Sequence, residues 1–310
     1  MKAPKNVILT SLAALFCLLA ADQIVQAQSR DGYISTLYAG PNAFPVPEML
    51  DGRVSPELRV ELAADYHAGF LKDRTANLFA RVYIPLFTRR VNLTIWMPVV
   101  EWYSMTAERM QQCQLEQQAP LQGYGFGDVY VSTDMHLLTE NRYRPDIALR
   151  AAIKTASGEQ WDRARYFDNP GYFFDLALGK SMYIGSGGTV SAERQSEADW
   201  ELRLAGSVGF LCWQTITARQ DDAYQYGLQL LARQQWVSLR LSWAGYSGWM
   251  NNGDKPMVFK VQLRGHTGGL EPFIDYQYGL RDYPFHSLRV GLAYNIDIIS
   301  VSKRKTTKSK

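Results

Sequence analysis

Beyond residue 27 the chain has no long apolar run. A helical inner-membrane protein is therefore excluded, since each span needs ~20 consecutive apolar residues. Histidine is scarce: His67, His136, His266 and His286 are scattered, without the spacing of a metal site. No metal and no cofactor is expected. Net charge is only +3, too little to argue for a nucleic-acid partner. Cysteine is nearly absent. Cys17 falls in the leader, which leaves Cys113 and Cys212. An exported protein is able to join two such residues, but their separation in sequence does not decide it.

What is present begins with a leader. Lys2 and Lys5 precede the apolar stretch Val7 to Ala20, and Val25-Gln26-Ala27 ends in a small residue. This pattern predicts a signal peptide over 1–27. Phe16 stands where a lipoprotein would have a small residue before Cys17. Residues 28–56 carry Pro41, Pro45, Pro47 and Pro56 and do not alternate, which argues against a central strand. The segment is read either as a periplasmic extension or as a piece folded into a lumen.

From 57 to 299 the chain alternates apolar and polar residues. In 287–296, Leu288, Val290, Leu292, Tyr294 and Ile296 share one face of a strand, and Ser287, Arg289 and Asn295 share the other. Strand centres fall at 58–68, 77–87, 91–102, 127–138, 146–155, 172–183, 199–213, 223–233, 236–245, 257–266, 270–279 and 287–297. The expected fold is all-β: an antiparallel transmembrane β-barrel of about twelve strands, of the outer-membrane type. Tight turns at 88–90, 234–235 and 267–269 and long connections at 103–126, 156–171 and 246–256 fit periplasmic and exterior ends respectively. The linker 184–198 is too long for a periplasmic turn. Aromatic residues make up 13% of the chain, with 18 Tyr and 8 Trp, as interfacial girdles require. Residues 300–310 form a basic tail with Lys303, Arg304, Lys305, Lys308 and Lys310.

The strand phase also sorts the charges. Arg59, Glu61, Asp65, His67, Arg81, Asp128, Asp134, His136, Arg150, Lys154 and Asp175 point inward. So do Glu201, Arg203, Arg233, Arg240, Lys260, Arg264, Glu271, Asp275 and Arg289. A charge on the lipid face near the midplane would cost about 2–4 kcal/mol. A soluble β-sandwich has no such reason to segregate them. Cross-strand neighbours of opposite sign are expected to pair: Arg264 with Glu271, Lys260 with Asp275, and Asp65 with Arg81. Arg150, Lys154, Asp175, Arg203 and Arg240 lie on the polar face of central strands and are the candidate solute contacts.

Gly123-x-Gly125 precedes alternating strand rather than a helix, so it is no dinucleotide-binding loop. The stretch Gly125-Phe-Gly127-Asp128-Val129-Tyr130 is followed by Pro145-Asp146-Ile-Ala-Leu-Arg150-Ala-Ala-Ile-Lys154-Thr155-Ala156-Ser157-Gly158. Over 120–185 this resembles the outer-membrane β-barrel family labelled "MetA-pathway of phenol degradation", a group of transporters. Ala156 stands where that family usually has Pro. The resemblance implies a barrel and a transport role. In the loop 160–172, Trp161 and Tyr166 beside Arg163 and Arg165 are candidates to hold a sugar or an aromatic ligand.

A lipid hydrolase of similar strand number would need a serine and a histidine in contact. His286 and Ser287 are adjacent but point to opposite faces, and no serine–histidine pair stands out. The expected function is a narrow channel or transporter for a small solute, monomeric and in contact with outer-membrane lipid. The alternatives are a closed barrel with a structural or surface-binding role and, less favoured, a lipid-modifying enzyme.

Overall fold

The structure, a computed structural model, describes residues 36–86, 88–112, 120–159, 164–166, 169–185, 188–190, 198–214 and 220–296. The leader, the basic tail, Cys113 and Trp161 lie outside the described residues. Strands run in the order β1 (Leu58–Gly69), β2 (Arg74–Pro85), β3 (Val91–Ser104), β4 (Gln122–Gly125), β5 (Tyr130–Leu138), β6 (Asp146–Lys154) and β7 (Gly171–Gly185). They continue as β8 (Gly188–Val190), β9 (Trp200–Gln214), β10 (Gln220–Arg233), β11 (Val237–Gly248), β12 (Met257–Gly265), β13 (Leu270–Arg281) and β14 (Phe285–Ile296). One short helix, α1 (Ala107–Gln112), follows β3.

Every pairing is antiparallel, and β1 pairs with β14, so the sheet closes on itself. Twelve long strands form the wall. The short β4 extends the far end of β3, and β8 folds back on β7. The linker after β7 thus begins as an extension of the sheet. The barrel ends differ as expected, with tight turns at the end where β1 starts and β14 stops.

The burial pattern is inverted relative to a water-soluble protein. Leu62, Leu228 and Leu292 are more than half exposed on the outer face, whereas Glu61, Asp65, Arg150, Arg203 and Asp275 are buried inside. Closure satisfies the backbone groups of the wall, and a hydrocarbon solvent then accepts the apolar face. This is the fold of an outer-membrane barrel.

The apolar core lies inside the barrel, toward the long-loop end. Ala39, Ala43, Phe44 and Val46 pack there against Tyr103, Tyr130, Phe173, Trp213 and Tyr246. Segment 36–56 is therefore inside the barrel.

The expected cross-strand charge pairs do not form in that register. Gly268 and Gly269 both have positive φ (57° and 94°), and Thr267 pairs with Leu270 across them. This two-residue hairpin turn sets Arg264 opposite Phe273, Gln262 opposite Asp275 and Lys260 opposite Gln277, two residues from the expected register. Lys260 still reaches Asp275 diagonally at 3.6 Å, while Arg264 pairs with Glu61 at 3.1 Å and Glu271 with Arg59. Asp65 does not meet Arg81 either. β2 starts at Arg74, closer to β1 than expected, which places Asn77 opposite Asp65 and Arg81 opposite Glu61. Asp65 pairs instead with Arg289 at 2.6 Å.

Candidate functional site

The polar lumen is the only large functional surface that the strand phase predicts, and segment 38–56 threads it from the long-loop end to the short-turn end. Prolines suit this path. Each lacks an N–H, so Pro41, Pro45 and Pro47 leave no buried donor to satisfy away from the sheet.

At the long-loop end the contacts tie the segment to the wall. Asn42 Nδ2 donates to Asn77 Oδ1 at 3.1 Å and to Glu101 Oε2 at 2.7 Å. Tyr283 donates to the Pro41 carbonyl at 3.1 Å, and Gly40 N–H to Ala164 O at 2.6 Å. Arg165 and Arg109 both bind Asp73, at 2.6 and 3.1 Å, and Arg109 also donates to Tyr38 O at 2.6 Å. Tyr166, expected as an exposed ligand contact, is buried and donates to Glu101 at 2.8 Å. Residues 164–166 lie inward, where buried acceptors bind the donors of Arg165 and Tyr166.

Mid-barrel, Glu48 is the anchor. Its carboxylate takes Arg81 at 2.6 Å and Lys260, and Arg150 donates to its carbonyl at 2.6 Å. Burial alone would raise this carboxyl, but Arg81, Lys260 and Arg289 outweigh it and hold it well below the usual carboxylate range. Met49 lies against Gly227, where a β-carbon would overlap its sulfur.

Toward the short-turn end, Asp51 pairs with Arg240 at 3.3 Å and its carbonyl accepts from Arg203 at 2.7 Å. Gly52 has φ of 87°, a conformation glycine adopts freely, and Gly179 on the wall leaves room for the Asp51 carbonyl. Arg53 then spans three carboxylates: Glu201 at 2.7 Å, Asp146 at 2.9 Å and Glu140 at 3.4 Å.

The five candidate solute contacts divide. Arg150 pairs with Asp175 at 2.7 Å and borders the free lumen, as does Arg240. Lys154 is fully buried against Asp128 at 2.7 Å and the Asn169 carbonyl at 2.8 Å. Arg203 is tied to Glu140 and Asp146 at 2.9 and 3.0 Å. Lys154, Asp175 and Arg203 do not line the remaining cavity. That cavity measures about 640 Å³ and is bordered by Glu61, Arg81, Trp96, Arg264 and Gln277.

One array escaped the sequence. Ser287 Oγ meets His67 Nδ1 at 2.7 Å, and His67 Nε2 meets Asn77 Oδ1 at 3.0 Å. Asn77 Nδ2 donates to Asp65 at 2.8 Å, so its amide oxygen faces the imidazole. A serine–histidine pair therefore exists, between β1 and β14, where the register sets His67 opposite Ser287. The only signal was that both residues fall on the inward phase. The array sits under Asn42 of the threaded segment and ends on the Asp65–Arg289 pair, away from lipid. His286 points outward and accepts from or donates to Tyr276 Oη at 2.8 Å. Among the described residues no group of three or more His, Cys, Asp or Glu is arranged to hold a metal.

No protein-family profile matches the chain, and no curated protein matches it in sequence. Solved structures do match in fold. The COG4313 outer membrane channel from Pseudomonas putida F1 aligns over 87% of this chain and 100% of its own, at 12% identity and a TM-score of 0.51. The transport unit of the autotransporter AIDA-I from Escherichia coli aligns over 81% and 93%, at 8% identity and 0.49. The NanC porin aligns over 76% and 100%, at 10% identity and 0.48. At these identities the likeness concerns the fold, and the first of the three carries it.

Proposed function

We propose that this protein is an outer-membrane channel for a small polar solute, with its lumen narrowed by its own segment 38–56. The observation that carries the reading is the pairing of an apolar outer wall with a charged lumen that retains a cavity of about 640 Å³ beside the threaded segment. Basic and acidic side chains face each other across that cavity and would orient a dipolar or zwitterionic solute. The strand and turn pattern over 120–185 supports a place in the "MetA-pathway of phenol degradation" group, and the COG4313 likeness in fold agrees with transport. The leader at 1–27 would deliver the chain, with the short turns periplasmic.

The near-complete pairing of lumen charges favours a second reading, a closed barrel with a structural or surface-binding role. Planar-bilayer recording of the mature chain separates the two. Discrete steps whose ion selectivity shifts in Arg150→Ala, which borders the cavity, support the channel. An inserted but silent barrel, in wild type and variants alike, supports the closed form. A lipid hydrolase is disfavoured, because Ser287 faces the lumen rather than lipid.

A further inference from the structure

The rim at the short-turn end carries a cationic patch that the lumen does not use. β3 pairs with both β2 and β5, so the turn after β2 and the loop after β5 are neighbours. Arg90 Nη2 donates to Thr139 Oγ1 at 2.7 Å across them, and Arg144 Nε donates to the Thr139 carbonyl at 3.1 Å. Arg90, Arg142 and Arg144 are exposed. Tyr143 stands 88% exposed among them, with the Arg142 guanidinium 5.6 Å from its ring centre. Lys180, on the outer face of β7, reaches the Asn141 and Arg144 carbonyls.

Acidic side chains among the described residues leave the three arginines of this rim unpaired. Glu140 turns inward to Arg203 and Arg53 and stands 3.6 Å from Lys180. Among the described residues no carboxylate lies within ion-pair distance of Arg90, Arg142 or Arg144. Directly along the wall, Leu137, Leu138, Leu178 and Met182 are exposed on the outer face. Apolar wall residues thus adjoin a tyrosine and three arginines. A phospholipid presents a complementary combination, an acyl chain joined to a phosphate. Arginine also matches phosphate in geometry, with two parallel N–H donors.

We propose that this rim binds the phosphate of an anionic phospholipid in the leaflet that faces the short turns. The apolar residues beside the arginines favour a lipid over a water-soluble polyanion. The proposal rests on the outer-membrane reading, and the test keeps the two apart.

The mature chain is inserted into phosphatidylcholine nanodiscs, and its unfolding midpoint is followed as phosphatidylglycerol replaces the neutral lipid. The wild type is expected to gain stability with phosphatidylglycerol, and the gain is expected to shrink as salt rises. The triple variant Arg90→Gln/Arg142→Gln/Arg144→Gln is expected to lose it, at about five-fold in apparent affinity per cation. Arg142→Gln alone, whose side chain makes no hydrogen bond or ion pair among the described residues and lies against Tyr143, guards against misfolding of the triple variant and is expected to show a partial loss. Equal responses of wild type and variants overturn the proposal. So does a matching response to inorganic phosphate alone, or arginine-dependent co-sedimentation with isolated peptidoglycan in place of a lipid effect. Insertion without any phosphatidylglycerol response defeats the rim alone. Failure to insert into neutral lipid defeats the outer-membrane reading as well.

Discussion

Replacing Glu48 by glutamine tests whether segment 38–56 governs conduction. The Glu48 carboxylate is held by Arg81 and Lys260, and its side chain is one-third exposed. A hydrogen bond to a charged group contributes about 1.5–3 kcal/mol, and partial exposure places this anchor toward the lower part, about 2 kcal/mol. The wall tolerates the change. Arg81 keeps Glu61 at 3.4 Å and Lys260 keeps Asp275 at 3.6 Å, so neither cation is stranded. The loss therefore falls on the threaded segment rather than on the barrel. A change of about 2 kcal/mol shifts a two-state equilibrium by about 30-fold. Single-channel recording is expected to show the open state that much more often in Glu48→Gln than in wild type, with unchanged thermal stability of the barrel. Identical gating in a folded, inserted variant would refute the reasoning.

The same anchor predicts a pH dependence. Its folded value is depressed, so the stability it contributes is fully present above the ordinary glutamate value of ~4.3 and is lost as pH falls through the depressed folded value. Gating should hold steady between about pH 7 and 5 and loosen only in stronger acid; a transition centred near pH 6 would assign it to another group. Lys154→Met breaks a fully buried pair and leaves the Asp128 charge with only the Ser157 and Gly158 amides, at a cost of about 3 kcal/mol, measurable as a lowered urea midpoint for the refolded barrel. Restoring neutrality with Asp128→Asn in the same chain should recover much of that loss. Asp221→Asn should stabilise the long-loop end by about 1–2 kcal/mol, because the buried Asp221 and Asp254 carboxylates converge on Gly248 and an amide replaces repulsion with a hydrogen bond. An unchanged or lowered melting point in Asp221→Asn would show that the pair is already neutralised in another way.

The wall of this barrel is written locally. Alternation has period two, so each residue's face follows from its immediate neighbours, and the inward phase of Arg150, Asp175, Arg203 and Arg240 needs no tertiary information. Twelve long strands and the asymmetry of their turns follow in the same way. Register does not, because it depends on the conformation of single turns. Two left-handed glycines at 268–269 moved every partner of β12 and β13 by two residues, and an early start of β2 separated Asp65 from Arg81. The contents of the lumen are further still from sequence. Prolines said that 28–56 is no central strand, but only through-space complementarity, with Glu48 between Arg81 and Lys260 and Arg53 among Glu201, Asp146 and Glu140, places residues 38–56 inside. The inward burial of Tyr166 and the meeting of His67 with Ser287 have the same origin. Closure of the barrel brings β14 against β1, and residues at opposite ends of the chain become neighbours for a reason that no local pattern contains.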